Sequence, residues 1–179
     1  MSERIVTRRN AGFTLIEVMI VCAIIGILAL MSIPTLQGTI ERYKVRAATR
    51  EFTGLFNRMR AAAVHAPAAL GSTPYQISIN CGTDNIAVTP ALPGGGRSSY
   101  SAAKDFTGVN IYAVESNLNT APAAELTGTV TRGMDRSGSC TMDSGTRNFT
   151  VFFATPRGLR YRVQVYGTIG RAQIVSGWN

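Results

Sequence analysis

Glu17 is the single charged side chain between Arg9 and Glu41, and it lies inside an apolar stretch that runs from Phe13 to Ile33. An ionised carboxylate in hydrocarbon costs about 2.5 to 3.5 kcal/mol on insertion scales, so a charge in such a place marks a partner and a purpose. The chemistry on offer is electrostatic pairing. The rest of the chain argues against an enzyme. One histidine, His65, leaves no Ser-His-Asp or Cys-His relay with a second occupant, and no Cys-x-x-Cys or comparable metal spacing occurs. The ten acidic residues are scattered, with no pair set apart as an acid/base couple. The run Pro93 to Arg97, "PGGGR", lacks the Gly-Lys-Ser/Thr ending of a phosphate loop, and no catalytic residue, metal or cofactor is expected.

The second chemical feature is positive charge. The net charge is +8, from 16 Arg and 2 Lys against 10 acidic residues, and it concentrates in two stretches: six basic and two acidic residues from Gly38 to Arg60, seven and two from Arg132 to the C-terminus. In the last stretch the apolar period is two. With Gly167 to Gly170 as a turn, Tyr166 faces Arg171 and Gln164 faces Gln173. One face then carries Leu159, Tyr161, Val163, Val165, Ala172 and Ile174, and the other Arg160, Arg162, Gln164, Tyr166, Arg171 and Gln173. Arg157, Arg160, Arg162 and Arg171 could meet phosphates and Tyr166 could stack a base, which makes DNA a candidate partner. The alternative is a solvated basic face or a contact to neighbouring subunits.

Cys22 falls in the apolar run, whereas Cys81 and Cys140 lie in the polar region. An even pair beyond a span suits an oxidising, exported compartment, and the expectation is a Cys81–Cys140 disulfide; two unrelated buried thiols are the alternative.

These groups need elements to hold them. The run from Phe13 has about the length that crosses a 30 Å hydrocarbon core. It is too long for the apolar region of a cleaved secretory signal, and no small-x-small site follows it. A plain signal anchor fits the hydropathy but leaves Glu17 unexplained, and Arg42, Lys44, Arg46 and Arg50 weaken the charge asymmetry such an anchor uses. From Thr39 to His65 the period is helical: Ala48, Phe52, Leu55, Met59 and Ala62, widened by Phe56 and Ala63, form a stripe that predicts packing on a sheet. Strands are predicted over Tyr75–Asn80, Ile86–Thr89, Val109–Val114, Gly128–Thr131, Asn148–Ala154, Leu159–Tyr166 and Arg171–Val175, with loops over Pro90–Lys104 and Ser116–Glu125.

The stretch "GFTLIEVMIVCAIIGILALMSIP" resembles the N-terminal signal of type IV pilins and pseudopilins. The resemblance implies an α+β pilin-like fold, a long N-terminal hydrophobic helix followed by an antiparallel β-sheet head. It implies a leader, residues 1–12, removed by a prepilin peptidase between Gly12 and Phe13, with methylation of the new N-terminus at Phe13. A membrane and filament-core helix over 13–36 follows, then an amphipathic continuation over 37–66 and a β-rich head over 67–179. Glu17 matches the family's assembly glutamate, which pairs with the freed amine of Phe13 on the same or a neighbouring subunit. Pro34 falls where pilins place a helix-kinking proline. "MRAAAV" and "FFATPRGLRYRVQV" with "GRAQI" resemble the GspH/FimT-type branch of minor pilins and pseudopilins, although Met59 and Ala62 replace that branch's alanine and glutamate. That branch associates a Gly-Arg-x-Arg motif with DNA binding; here Gly170 and Arg171 match and Gln173 does not. The implied partners are the prepilin peptidase, the inner membrane, other minor and major pilins, and DNA. The implied location is the inner membrane, head in the periplasm, and then the filament. The leading expectation is a minor type IV pilin that helps start assembly at or near the tip. A DNA-receptor pilin or a minor pseudopilin of a type II secretion system is the alternative.

Overall fold

The computed structural model describes residues 12–116, 118, 121–141 and 147–177, with the side chains of 32–35 outside that set. The leader up to residue 11 and the side chain of Pro34 therefore lie outside the described residues. Helix α1 spans Leu15–Val64, and the chain divides into two compact units between Thr39 and Ile40.

In the first unit α1 is apolar on every side around Glu17, and those side chains are exposed: Phe13 is 84% exposed, and Leu15, Ile16, Met19, Ile25 and Leu28 are likewise exposed. A helix that is hydrophobic all round belongs in a membrane or against other chains. Among the described residues no single helix is long and apolar enough to cross a membrane. The segments Leu15–Met31 and Leu36–Val64 pass that test together, by length and composition.

In the second unit the same helix is one-sided. Val45, Ala48, Phe52, Leu55, Phe56, Met59 and Ala63 are buried at spacings of three and four, and Ala62 is partly buried, as the stripe predicts. This part of α1 belongs to the head's own core. Pro67, which lacks the N–H to extend a helix, follows its end, and His65 sits exposed there.

Among the described residues, nine strands belong to the head: β1 Tyr75–Asn80, β2 Asn85–Thr89, β3 Ser99–Ser101, β4 Asn110–Glu115, β5 Thr129–Met134, β6 Cys140–Thr141, β7 Phe149–Ala154, β8 Arg160–Tyr166 and β9 Arg171–Ser176; a one-turn helix, α2, spans Ala102–Asp105. They form two antiparallel sheets, β3-β2-β1-β5-β6 and β4-β7-β8-β9. The arrangement is the expected α+β, pilin-like one. The main core cluster joins the helix stripe to Ile77, Ile79 and Ile86 of the first sheet and Phe149, Val151, Phe153 and Val163 of the second, and a smaller one, Ala113 with Phe152, lies apart from it. Phe52 meets Phe153 edge-on at 6.2 Å between centroids and Phe56 meets Phe149 at 6.3 Å, the geometry aromatic quadrupoles prefer.

Two expectations are corrected here. The stretch Pro90–Lys104 is not all loop, because β3 and most of α2 lie within it, with Tyr100 buried and its hydroxyl donating to the Ala48 carbonyl at 3.1 Å. The Cys81–Cys140 bridge is not formed, and both residues are buried free thiols. Strand order explains this. Cys81 follows Asn80 at one end of β1, whereas Cys140 pairs with Met134, which stands opposite Tyr75 at the other end. Six residues of strand, about 20 Å, separate those ends, and a disulfide tolerates Cα atoms about 7 Å apart at most.

Candidate functional site

At the N-terminal end, Thr14 caps α1. Its carbonyl accepts from the Glu17 and Val18 N–H groups at 3.2 and 3.3 Å, and its Oγ1 accepts from the Glu17 N–H at 3.3 Å. Thr-Leu-Ile-Glu is thus a capping-box sequence, with the glutamate at the third helical position. The cap satisfies an orphan donor of the first turn, and the partial positive charge of the helix end favours an anion there. Glu17 stands exposed among exposed apolar side chains, four residues past Phe13. A carboxylate so placed is open to a cation from another chain or from the start of its own helix.

In the head, the last hairpin has the expected register: Tyr166 opposite Arg171 and Gln164 opposite Gln173. Arg160, Arg162, Tyr166 and Arg171 accordingly share one side of the sheet. They do not make a continuous patch. Gln164, between them, is buried and donates through Nε2 to the Leu118 carbonyl at 2.5 Å. Thr150 and Phe152, opposite Gln164 and Arg162, are fully buried on that same side, where Ala121 packs against Phe152. Arg162 is half-buried, and its Nε is buried without a hydrogen-bond partner among the described residues. The segment after β4 therefore covers the middle of the face. It leaves Arg160 and the Tyr166/Arg171 pair about 20 Å apart along the strand. Arg157 turns away altogether, its Nε 3.3 Å from Glu41 Oε1 on α1.

Arg160 instead has company from the helix. Arg42, Arg46 and Arg50 recur every four residues on α1 and are exposed. Arg42 and Arg160 line a cavity of about 420 Å³ with Tyr161, Ser176 and Gly177. Arg46 and Arg50 line an adjoining one of about 270 Å³ that shares Tyr161 and Ser176. Arg46 Nε donates to the Tyr161 hydroxyl at 3.1 Å, and its guanidinium lies 6.0 Å from that ring's centroid.

Residues 7–33 match the family model described as the prokaryotic N-terminal methylation motif. The N-terminal segment is that of the type IV pilin superfamily. The chain is also similar to the type II secretion system core protein G of Aeromonas hydrophila, 42% identical over 52 residues, 29% of this chain and 36% of that protein. The match thus spans about a third of the relative's length. No solved structure matches the chain at a significant level.

Within the pilin-type segment, Thr14 is the residue missed in reading the sequence, although the Thr-x-x-Glu spacing was there to find it. In the head the missed grouping is Arg42, Arg46 and Arg50 with Arg160. Their i, i+4, i+8 spacing announces a helical row, but nothing local places β8 beside it.

Proposed function

We propose that the chain is a minor type IV pilin: a precursor held in the inner membrane with its head in the periplasm, cut between Gly12 and Phe13, methylated at Phe13, and built into a filament through the Leu15–Met31 helix. The observation that carries this is the exposed apolar half of α1, opened by the Thr14–Glu17 cap and followed by a head that has its own core. In the assembled state Glu17 pairs with the freed amine of a Phe13, on its own or a neighbouring helix, and removal of that charge from hydrocarbon contact draws the subunit into register. Other pilins cover the apolar surface.

A second reading, a minor pseudopilin of a type II secretion system, is favoured by the similarity to a core protein of such a system. One deletion strain separates the two. Loss of surface pili with secretion intact supports the pilin, and loss of an exported enzyme with pili intact supports the pseudopilin. The shared reading is tested by mass spectrometry of the membrane fraction. A mass beginning at methylated Phe13 is expected, and an intact N-terminus in cells with active prepilin peptidase rejects both.

A further inference from the structure

We infer that the helix row Arg42, Arg46 and Arg50, with Tyr43 beside it, is a docking surface for the anionic headgroups of the bilayer that holds the unassembled subunit. This rests on the proposed membrane-inserted precursor and adds a lipid contact to it. Three observations point to lipid phosphate. The first is uncompensated charge: the arginines are one turn apart, exposed, and in no ion pair among the described residues, while the acidic residues next to Arg42 and Arg50 are taken, Glu41 by Arg157 and Glu51 by Arg58. Like charges at four-residue spacing repel, so an external counter-charge is favoured. The second is the apolar companion. Tyr43 is 69% exposed and stands three residues before Arg46, a neighbouring position on the helix surface, and an exposed tyrosine beside arginines is the composition of a membrane–water interface. The third is the chain itself. Arg42 follows Ile33, the end of the apolar stretch, by only nine residues, a length of chain that reaches about 30 Å at most even when fully extended.

Positive charge on the exported side of a span runs against the usual bias, and headgroup binding explains its presence. Arg46 is pre-positioned by Tyr161, so less side-chain freedom is lost when it binds.

The test uses the full-length chain in neutral detergent, incubated with equal amounts of phosphatidylglycerol and phosphatidylcholine, with retained lipid counted by native mass spectrometry. Wild type is expected to prefer phosphatidylglycerol at least tenfold. The preference should fall about fivefold per arginine removed, so Arg42→Gln/Arg50→Gln, which leaves the Arg46–Tyr161 contact in place, loses most of it. The triple Arg→Lys variant, which keeps the charge, retains most of it. Equal retention by wild type, or an unchanged preference in the double variant, overturns the proposal. So does displacement of phosphatidylglycerol by a short DNA duplex at equal phosphate concentration, which makes the row a nucleic-acid site. Alkaline carbonate extraction tests the underlying reading separately. A chain that washes off membranes fails as an inserted subunit, even where its arginines select phosphatidylglycerol.

Discussion

Arg157 and Glu41 meet at 3.3 Å, tying the turn before β8 to α1 where the helix enters the head. Arg157 is half exposed and Glu41 only a quarter, and the second carboxylate oxygen of Glu41 is buried without a hydrogen-bond partner among the described residues. The pair is a structural clip rather than an open phosphate contact. Arg157→Ala should cost about 0.5 to 1 kcal/mol in denaturant unfolding of the head. Arg171→Ala, on the exposed edge strand, should stay within about 0.5 kcal/mol.

Glu17→Ala should leave membrane insertion unchanged, because loss of a charge favours partition into hydrocarbon, while recovery in sheared filaments falls steeply. Thr14→Val removes the cap acceptor but keeps the carboxylate. It should weaken the first turn by about 1 kcal/mol and reduce incorporation much less. Equal defects in the two variants would show that the contact with Thr14, not the charge, is what assembly needs.

The thiols of Cys81 and Cys140 are pushed up by burial, to about 11 and about 12. Both should resist iodoacetamide in the native head at pH 8 and label promptly once it unfolds, since the thiolate is the nucleophile. Non-reducing peptide maps should show no link between them.

The same shifts set a pH dependence. Between about pH 9 and the folded values the folded state keeps thiol protons that the unfolded state has lost, so stability falls as pH rises through that window, by up to about 1.4 kcal/mol per unit for each thiol. Burial also holds the Tyr100 hydroxyl well above its usual value and adds in the same direction. Unfolding curves at pH 8 and pH 10 check this: the pH 10 midpoint should be lower, and Cys140→Ala should flatten the difference.

Phe152 lies on the side of β7 opposite the helix yet is fully buried. Phe152→Ala should therefore cost about 3 kcal/mol, a core-sized loss. A cost near zero would mean that the segment carrying Leu118 and Ala121 does not cover it.

Where structure follows from local period, the sequence was readable. The α1 stripe from Ala48 to Ala63 and the β8–β9 register both came through, because a 3.6-residue or two-residue repeat bounded by Gly or Pro leaves few alternatives. Where structure follows from what lies across, it was not. Gln164 alternates as an outward residue and does point outward, but an aperiodic segment closes over it through the Leu118 carbonyl. Cys81 and Cys140 make an even pair by count, but the register of β1, β5 and β6 sets them at opposite ends of β1. β3, three residues in a Gly- and Ser-rich stretch, is defined by its pairing with β2 rather than by its own pattern.

The interdigitation of Phe52 and Phe56 with Phe153 and Phe149 makes the head mechanically anisotropic. Tension applied along α1 must slide the whole helical stripe past β7 at once, so the aromatic contacts share the load in shear. Tension applied at the C-terminal end meets β9, an edge strand held by β8 alone, and peels it one hydrogen-bonded pair at a time. Pulled by the helix, the head should hold at higher force than when pulled by its tail.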